Sequence, residues 1–185
     1  MKSIYVNGYV ANLGTKVLIE EKYDLLLKYF SKEFLDSSLN KINKVILDKG
    51  GQNPSLSIYE DKIIDKEDIS KGGVLSSLWK ICERNNFGLK YSLRSIPILQ
   101  STIEIANYFD INPYRLLTCN SQLMIFDDIE VNDIVDEIPF VKIGDIMNNK
   151  KRIRIDSEQE SFLTKDFKDE IDKILPKYTK IYGKR

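Results

Sequence analysis

The sequence has 185 residues, with 28 basic and 28 acidic side chains, no histidine, 42% hydrophobic residues and only 5 prolines. That length carries one well-buried core, its composition excludes a disordered or collagen-like chain, and its zero net charge leaves no global field to hold a polyanion, which argues against a nucleic-acid binder. The lack of histidine removes the commonest general base and metal ligand, and with it every Ser/His or Cys/His triad.

The N-terminal Met1-Lys2-Ser3-Ile4-Tyr5 has no apolar signal core, and no apolar run reaches the length of a membrane span. A cytoplasmic protein without membrane contact is expected. Ile4 and Val6 alternate as a short strand, and Gly8 and Gly14 punctuate the way into a first helix with Val17, Leu18, Leu25, Leu26 and Tyr29 as its apolar positions. Ser31 caps a second helix carrying Phe34, Leu35, Leu39, Ile42, Val45 and Ile46, stopped by Lys49-Gly50-Gly51. Leu56-Ser57-Ile58-Tyr59 and Lys62-Ile63-Ile64 are strand pieces around a polar turn.

Asp68-Ile69-Ser70-Lys71-Gly72-Gly73 then feeds a helix over 74–86, predicted to bury Leu75, Leu78, Trp79 and Cys82 and to leave Lys80 and Glu83 wet. A strand follows over 89–93. Pro97 opens the next helix, which runs to Phe109, and Asp110 to Tyr114 turns the chain. Leu123 to Phe126 is a buried strand, Val131 to Glu137 a short helix, and Phe140 to Ile146 and Arg152 to Asp156 pair around the turn 148–151. A last helix from Asp166 to Leu175 is stopped by Pro176, so 1–176 reads as a single domain and 177–185 as a basic tail.

A hydroxyl and two glycines before an apolar-periodic run place unpaired N–H groups and a positive dipole end at one point. The stretch has two readings: a plain turn and cap, or a phosphate seat built from Asp68, Ser70, Lys71, Gly72 and Gly73. In the second, the Gly72 and Gly73 amides and the Ser70 hydroxyl receive the oxygens and Lys71 adds charge. Asp68 opposes an anion, so its carboxylate must turn to an amide, a base or a cation. Cys82 and Cys119 lack Cys-x-x-Cys spacing, Cys82 reads as a small buried hydrophobe, and no metal site is predicted.

The order of elements predicts an α+β fold, a mixed or antiparallel sheet covered by helices. The runs Asp68-Ile69-Ser70-Lys71-Gly72-Gly73-Val74, Ile96-Pro97-Ile98 and Asp110-Ile111-Asn112-Pro113-Tyr114-Arg115-Leu116-Leu117, with the spaced Gly8 and Gly14, resemble the C-terminal domain of the aminoimidazole ribonucleotide (AIR) synthetase superfamily. Within that superfamily the likeness is greatest to the hydrogenase maturation factor, and it covers about residues 6 to 175.

The resemblance implies an AIR synthetase C-terminal-domain-like fold, and it leaves the family's N-terminal ATP-binding domain outside this sequence. No cofactor is then expected for the chain alone; ATP and Mg would enter only with such a domain supplied in trans. The C-terminal cysteine of the hydrogenase factor is replaced by Tyr182-Gly183-Lys184-Arg185, so its carrier reaction does not transfer and no catalytic residue is assigned. Where the family has a glycine turn before a strand, this sequence has Cys119, Asn120 and Ser121, which are secondary candidates for ligand contact. Two functions follow: a non-catalytic binding or assembly module, as a homodimer or with a phosphate-bearing small molecule, or the C-terminal half of an ATP-dependent enzyme whose ATP-binding half is a separate polypeptide.

Overall fold

The computed structural model describes residues 1–47, 54–127, 129, 138–156, 161–166, 168–176 and 178. Among these residues seven strands, β1 (Lys2–Asn7), β2 (Ile63–Asp68), β3 (Gly88–Tyr91), β4 (Gln122–Asp127), β5 (Phe140–Met147), β6 (Arg152–Arg154) and β7 (Ser161–Phe162), form one sheet in the order β2-β4-β1-β5-β3-β6-β7. Neighbours are antiparallel except β3 and β6, which run parallel, so the sheet is mixed and the fold α+β. The helices are α1 (Asn12–Glu21), α2 (Tyr23–Leu26), α3 (Lys32–Leu47), α4 (Gly73–Arg84), α5 (Gln100–Tyr108) and α6 (Ile171–Ile174).

Strand alternation sorts the core into two. Ile4 and Val6 of β1 and Leu123 and Ile125 of β4 join the main cluster with Leu18, Leu35, Leu78 and Ile105 of the helices. Their alternates Tyr5, Met124 and Phe126 form a second cluster with Phe140, Leu56 and Ile129. Within it the Tyr5 and Phe140 rings stack at 4.9 Å and Phe126 meets both edge-on. Among the described residues no helix is long and apolar enough to cross a membrane.

The Ser31 cap forms, its Oγ accepting from the Phe34 amide at 3.1 Å. The first helix differs from expectation: it stops at Glu21, α2 follows at an offset, and Leu25 and Tyr29 face solvent. Leu56 lies in a 3-10 helix, Pro54–Lys62, rather than a strand, since Pro54 fixes the φ of a helical first turn while Leu56 supplies a side chain to the second cluster. Pro97 does not open α5. Its carbonyl accepts from the Val10 amide at 3.0 Å and Ile98 bridges Val10, which holds the chain extended until Leu99.

The strands expected to pair around 148–151 do not pair, because β3 lies between them. Two glycines make the room: a Cβ on Gly88 would stand 2.7 Å from the Lys151 carbonyl oxygen, and one on Gly144 would stand 2.9 Å from Tyr91 Cα. The final helix shrinks to Ile171–Ile174, since the acids before it bond to backbone and bases elsewhere. The stop at 49–51 and the helix predicted over 131–137 lie outside the described residues.

Along α4, Leu75, Leu78 and Cys82 are buried and Glu83 is exposed as expected, but Trp79 is only half-buried. Its ring is covered instead by the Arg152 guanidinium, 4.1 Å from the centroid, which also donates to Glu83 at 2.6 Å. Lys80 is half-buried rather than fully wet. At the other end of α4, Arg84 donates to Asp65 at 2.9 Å, to Glu67 at 2.7 Å and to the Lys66 carbonyl at 3.0 Å, lying across edge strand β2.

Candidate functional site

Gly72 and Gly73 both hold positive φ, 81° and 64°, two successive left-handed residues that a side chain would strain. Gly73 is also pressed against the 3-10 turn Pro113–Arg115: a Cβ there would lie 2.8 Å from Arg115 Cα and closer still to the Tyr114 carbonyl. Asn112 stabilises that turn by accepting from the Tyr114 amide at 3.0 Å. The glycine pair is therefore required by conformation and close approach before any ligand is considered.

The amides expected to face an anion already have partners. Gly73 donates to the Ser70 carbonyl at 3.1 Å, and Gly72 donates to the Asp169 carboxylate at 2.8 Å. Asp169 is 2% exposed and also accepts from the Leu117 amide at 3.2 Å and the Ile171 amide at 3.1 Å. One buried carboxylate thus draws together three segments. Burial pushes its pKa above the ordinary carboxylate value, although the amides of Gly72, Ile171 and Leu117 pull the other way.

Of the other candidates, Asp68 accepts from Gln122 Nε2 at 2.7 Å, which answers the need for its carboxylate to find a donor. Ser70 is exposed, and its carbonyl rather than its hydroxyl serves the turn, accepting from Gly73 and from Thr118 at 3.4 Å. Lys71 is exposed and pairs with Asp172 at 3.8 Å.

Cys119, Asn120 and Ser121 are brought close to this turn and are engaged in joining it to the first helix. The Asn12 carboxamide brackets Cys119, donating to its carbonyl at 2.8 Å and accepting from its amide at 3.0 Å. Asn120 takes the left-handed conformation expected of it, φ 53°, and donates to the Ile46 carbonyl at 2.6 Å. Ser121 Oγ donates to the Tyr9 carbonyl at 2.8 Å and would stand 2.6 Å from a Cβ on Gly8. Burial lifts the Cys119 thiol to about 11 and the Cys82 thiol likewise, so neither is a ready nucleophile.

Asp169, the residue sequence reasoning missed, lies in the run Asp166-Phe167-Lys168-Asp169-Glu170-Ile171-Asp172, read as a plain helix start. The available signal was the spacing of its acids. Asp166, Asp169 and Asp172 recur every third residue, and each meets a base or an amide: Asp166 pairs with Arg115, Asp169 takes the Gly72 and Leu117 amides, and Asp172 faces Lys71. Among the described residues no group of three His, Cys, Asp or Glu stands close enough together to hold a metal ion.

No protein-family model and no curated protein matches the sequence. The fold, however, matches that of solved structures. It superposes on E. coli HypE, a hydrogenase maturation protein, with a TM-score of 0.61 at 10% identity, over 92% of this chain and 51% of that one. A HypE–HypF complex gives 0.63 at 11%, over 89% and 53%, and thiamine monophosphate kinase from Aquifex aeolicus gives 0.55 at 15%, over 85% and 50%. A HypE structure in complex with ATP is similar as well. The chain spans about half the length of the proteins it matches.

Proposed function

We propose that this chain is a binding and assembly module, AIR synthetase-related in fold, that performs no ATP chemistry by itself. The observation that carries the reading is Asp169. An anion site for ATP or another phosphate compound at the glycine pair needs the Gly72 amide, and a buried carboxylate of the same chain already accepts from it at 2.8 Å. As the site stands, a phosphate does not fit. No catalytic step is assigned to Asp68, Ser70, Lys71, Gly72 or Gly73, nor to Cys119, Asn120 or Ser121.

Assembly is supported by an apolar surface on the helical side. Tyr29 is 68% exposed and packs on Tyr108 at 4.7 Å, with Leu25 and Leu27 exposed nearby in sequence. Such a surface suits a second copy of this chain or a partner domain. We take 1–176 as the domain, 177–185 as its basic tail, and the cytoplasm as its compartment.

The second reading, a half-enzyme completed by a separately encoded ATP-binding domain, is favoured by the half-length match to HypE, one structure of which is an ATP complex. The two are separated by assaying the purified chain with Mg and ATP while following its mass by light scattering. The module reading expects concentration-dependent self-association, reduced by Tyr29→Asp, and no turnover above the uncatalysed rate. Turnover by the chain alone that follows the protein through purification would refute it. Turnover that arises only with an added ATP-binding polypeptide would favour the half-enzyme.

A further inference from the structure

Resting on the module reading, we propose that two copies of this chain pack face to face through the uncovered half of the sheet, with Ile153, Ile155 and Phe162 at the centre of the contact. Strand pairing sets Asp145, Lys90, Ile153 and Phe162 in one row across β5, β3, β6 and β7. The row faces away from the helices: Asp145 accepts from Ser3, whose alternate Tyr5 belongs to the second cluster, whereas Arg152, next to Ile153, turns to Trp79 of α4. Over β2, β4 and β1 this face is closed by Leu56 and Tyr59 of the 3-10 helix and by Ile129. Over β6 and β7 it is open. Phe162 is 54% exposed and Ile155, just after β6, 58%, and among the described residues neither they nor Ile153 belong to a core cluster. A sheet face turned to water is normally polar, and this one carries three large apolar side chains.

Three observations assign a second copy as the occupant. The order Lys90, Ile153, Phe162 is self-complementary: a two-fold axis along β6 sets Ile153 on its own counterpart and brings Lys90 of each copy over Phe162 of the other. There the lysine stem covers the ring and the ammonium lies within cation–π reach. Lys90 is free for that role. It is exposed and, although opposite Asp145 in register, forms no ion pair among the described residues, Asp145 pairing instead with Lys142 at 2.6 Å. Finally, the chain has 28 basic and 28 acidic side chains, so two copies meet without net repulsion. Tyr29, packed on Tyr108 of α5, lies on the helical side, so the two apolar surfaces are independent and a chain using both assembles beyond a dimer.

The test is sedimentation velocity on the full chain over a range of concentrations, in a Tyr29→Asp background that isolates the sheet contact. Tyr29→Asp alone should still form a dimer, and adding Phe162→Asp should raise the dimer Kd about tenfold or more. Lys90→Glu, which leaves all three apolar side chains in place, should weaken the dimer as well. Circular dichroism checks the fold, and should Phe162→Asp fail to fold, Lys90→Glu is read in its place. Leu47→Asp, at a residue of α3 that is 76% exposed, should leave the dimer unchanged. A Tyr29→Asp chain that is monomeric at every concentration would overturn the proposal, and so would a dimer indifferent to both Phe162→Asp and Lys90→Glu. Neither result bears on ATP turnover, which decides the module reading separately.

Discussion

Replacing Gly73 by alanine puts two independent penalties on one residue. At φ 64° a Cβ costs about 1–2 kcal/mol by its own backbone contacts. The methyl also meets main chain, Arg115 Cα at 2.8 Å and the Tyr114 carbonyl nearer still, and main chain cannot swing aside as a side-chain end can. An overpacked site of this kind adds about 1–3 kcal/mol, so we expect a loss of about 2–5 kcal/mol, a large part of a typical domain's stability. Urea denaturation followed by circular dichroism reads the loss as a shift in midpoint at constant slope.

Gly14→Ala is the control. It also meets a neighbour, Leu116, whose Cγ is nearest and whose Cδ1 would stand at 2.8 Å, but that neighbour is a side chain and Gly14 lies in a helix at ordinary φ, where alanine is worth about 1 kcal/mol. A double-mutant cycle of Gly14→Ala with Leu116→Val should show coupling of about 0.5 kcal/mol or more. No side-chain truncation at Tyr114 or Arg115 should rescue Gly73→Ala. A loss below about 1 kcal/mol for Gly73→Ala, or its rescue by Tyr114→Ala, would refute the argument from main-chain contact.

Arg84→Ala should cost below about 1 kcal/mol because its pairs are partly exposed, yet it frees the edge of β2, and light scattering should report increased aggregation. Asp65 and Asp169 should tilt the pH dependence of stability in opposite senses. Burial works against the Asp65 anion, but bonds from Asn85, Arg84 and the Lys66 amide hold its pKa below 3.8, so its contribution is present above that pH and is lost as pH falls through the lower folded value. Asp65→Asn should flatten that acid limb. Asp169 is raised, so stability falls as pH rises from 3.8 through its folded value, and Asp169→Asn should remove that decline. With its thiol at about 11 and fully buried, Cys82 should react with a thiol reagent at neutral pH only as fast as the chain opens, and immediate reaction of Cys82 in the folded protein would contradict its burial.

The features legible in the sequence were those fixed within a few residues. The Ser31 cap, the glycine pair before α4, Asn120 in a left-handed turn and the α+β order of elements all rest on local chemistry, and all four are in the structure. The misread features depend on distant contacts. Nothing near Pro97 announces that its carbonyl bonds to Val10, and the spacing of Asp166, Asp169 and Asp172 marks a face of acids without saying that a glycine turn 97 positions earlier takes one of them. The run 166–175 has the composition of a helix start, and α6 is short because its acids were taken by partners elsewhere. Trp79 was placed correctly on its helix, but its final burial depended on Arg152, seventy-odd positions away by chain number.

The position of β3 bears on how the chain reaches this state. Strands β5 and β6 are separated by the few residues of 148–151, a spacing at which hairpins close in about 1–10 μs, whereas β3 must come from far earlier in the chain to lie between them. A β5–β6 hairpin is excluded from the native sheet, so any such pairing formed early would have to part before Gly88 and Gly144 could admit β3. Refolding should therefore be slower than the short separation of these strands suggests. In the two glycines, room for the native neighbour and escape from the wrong one are the same property.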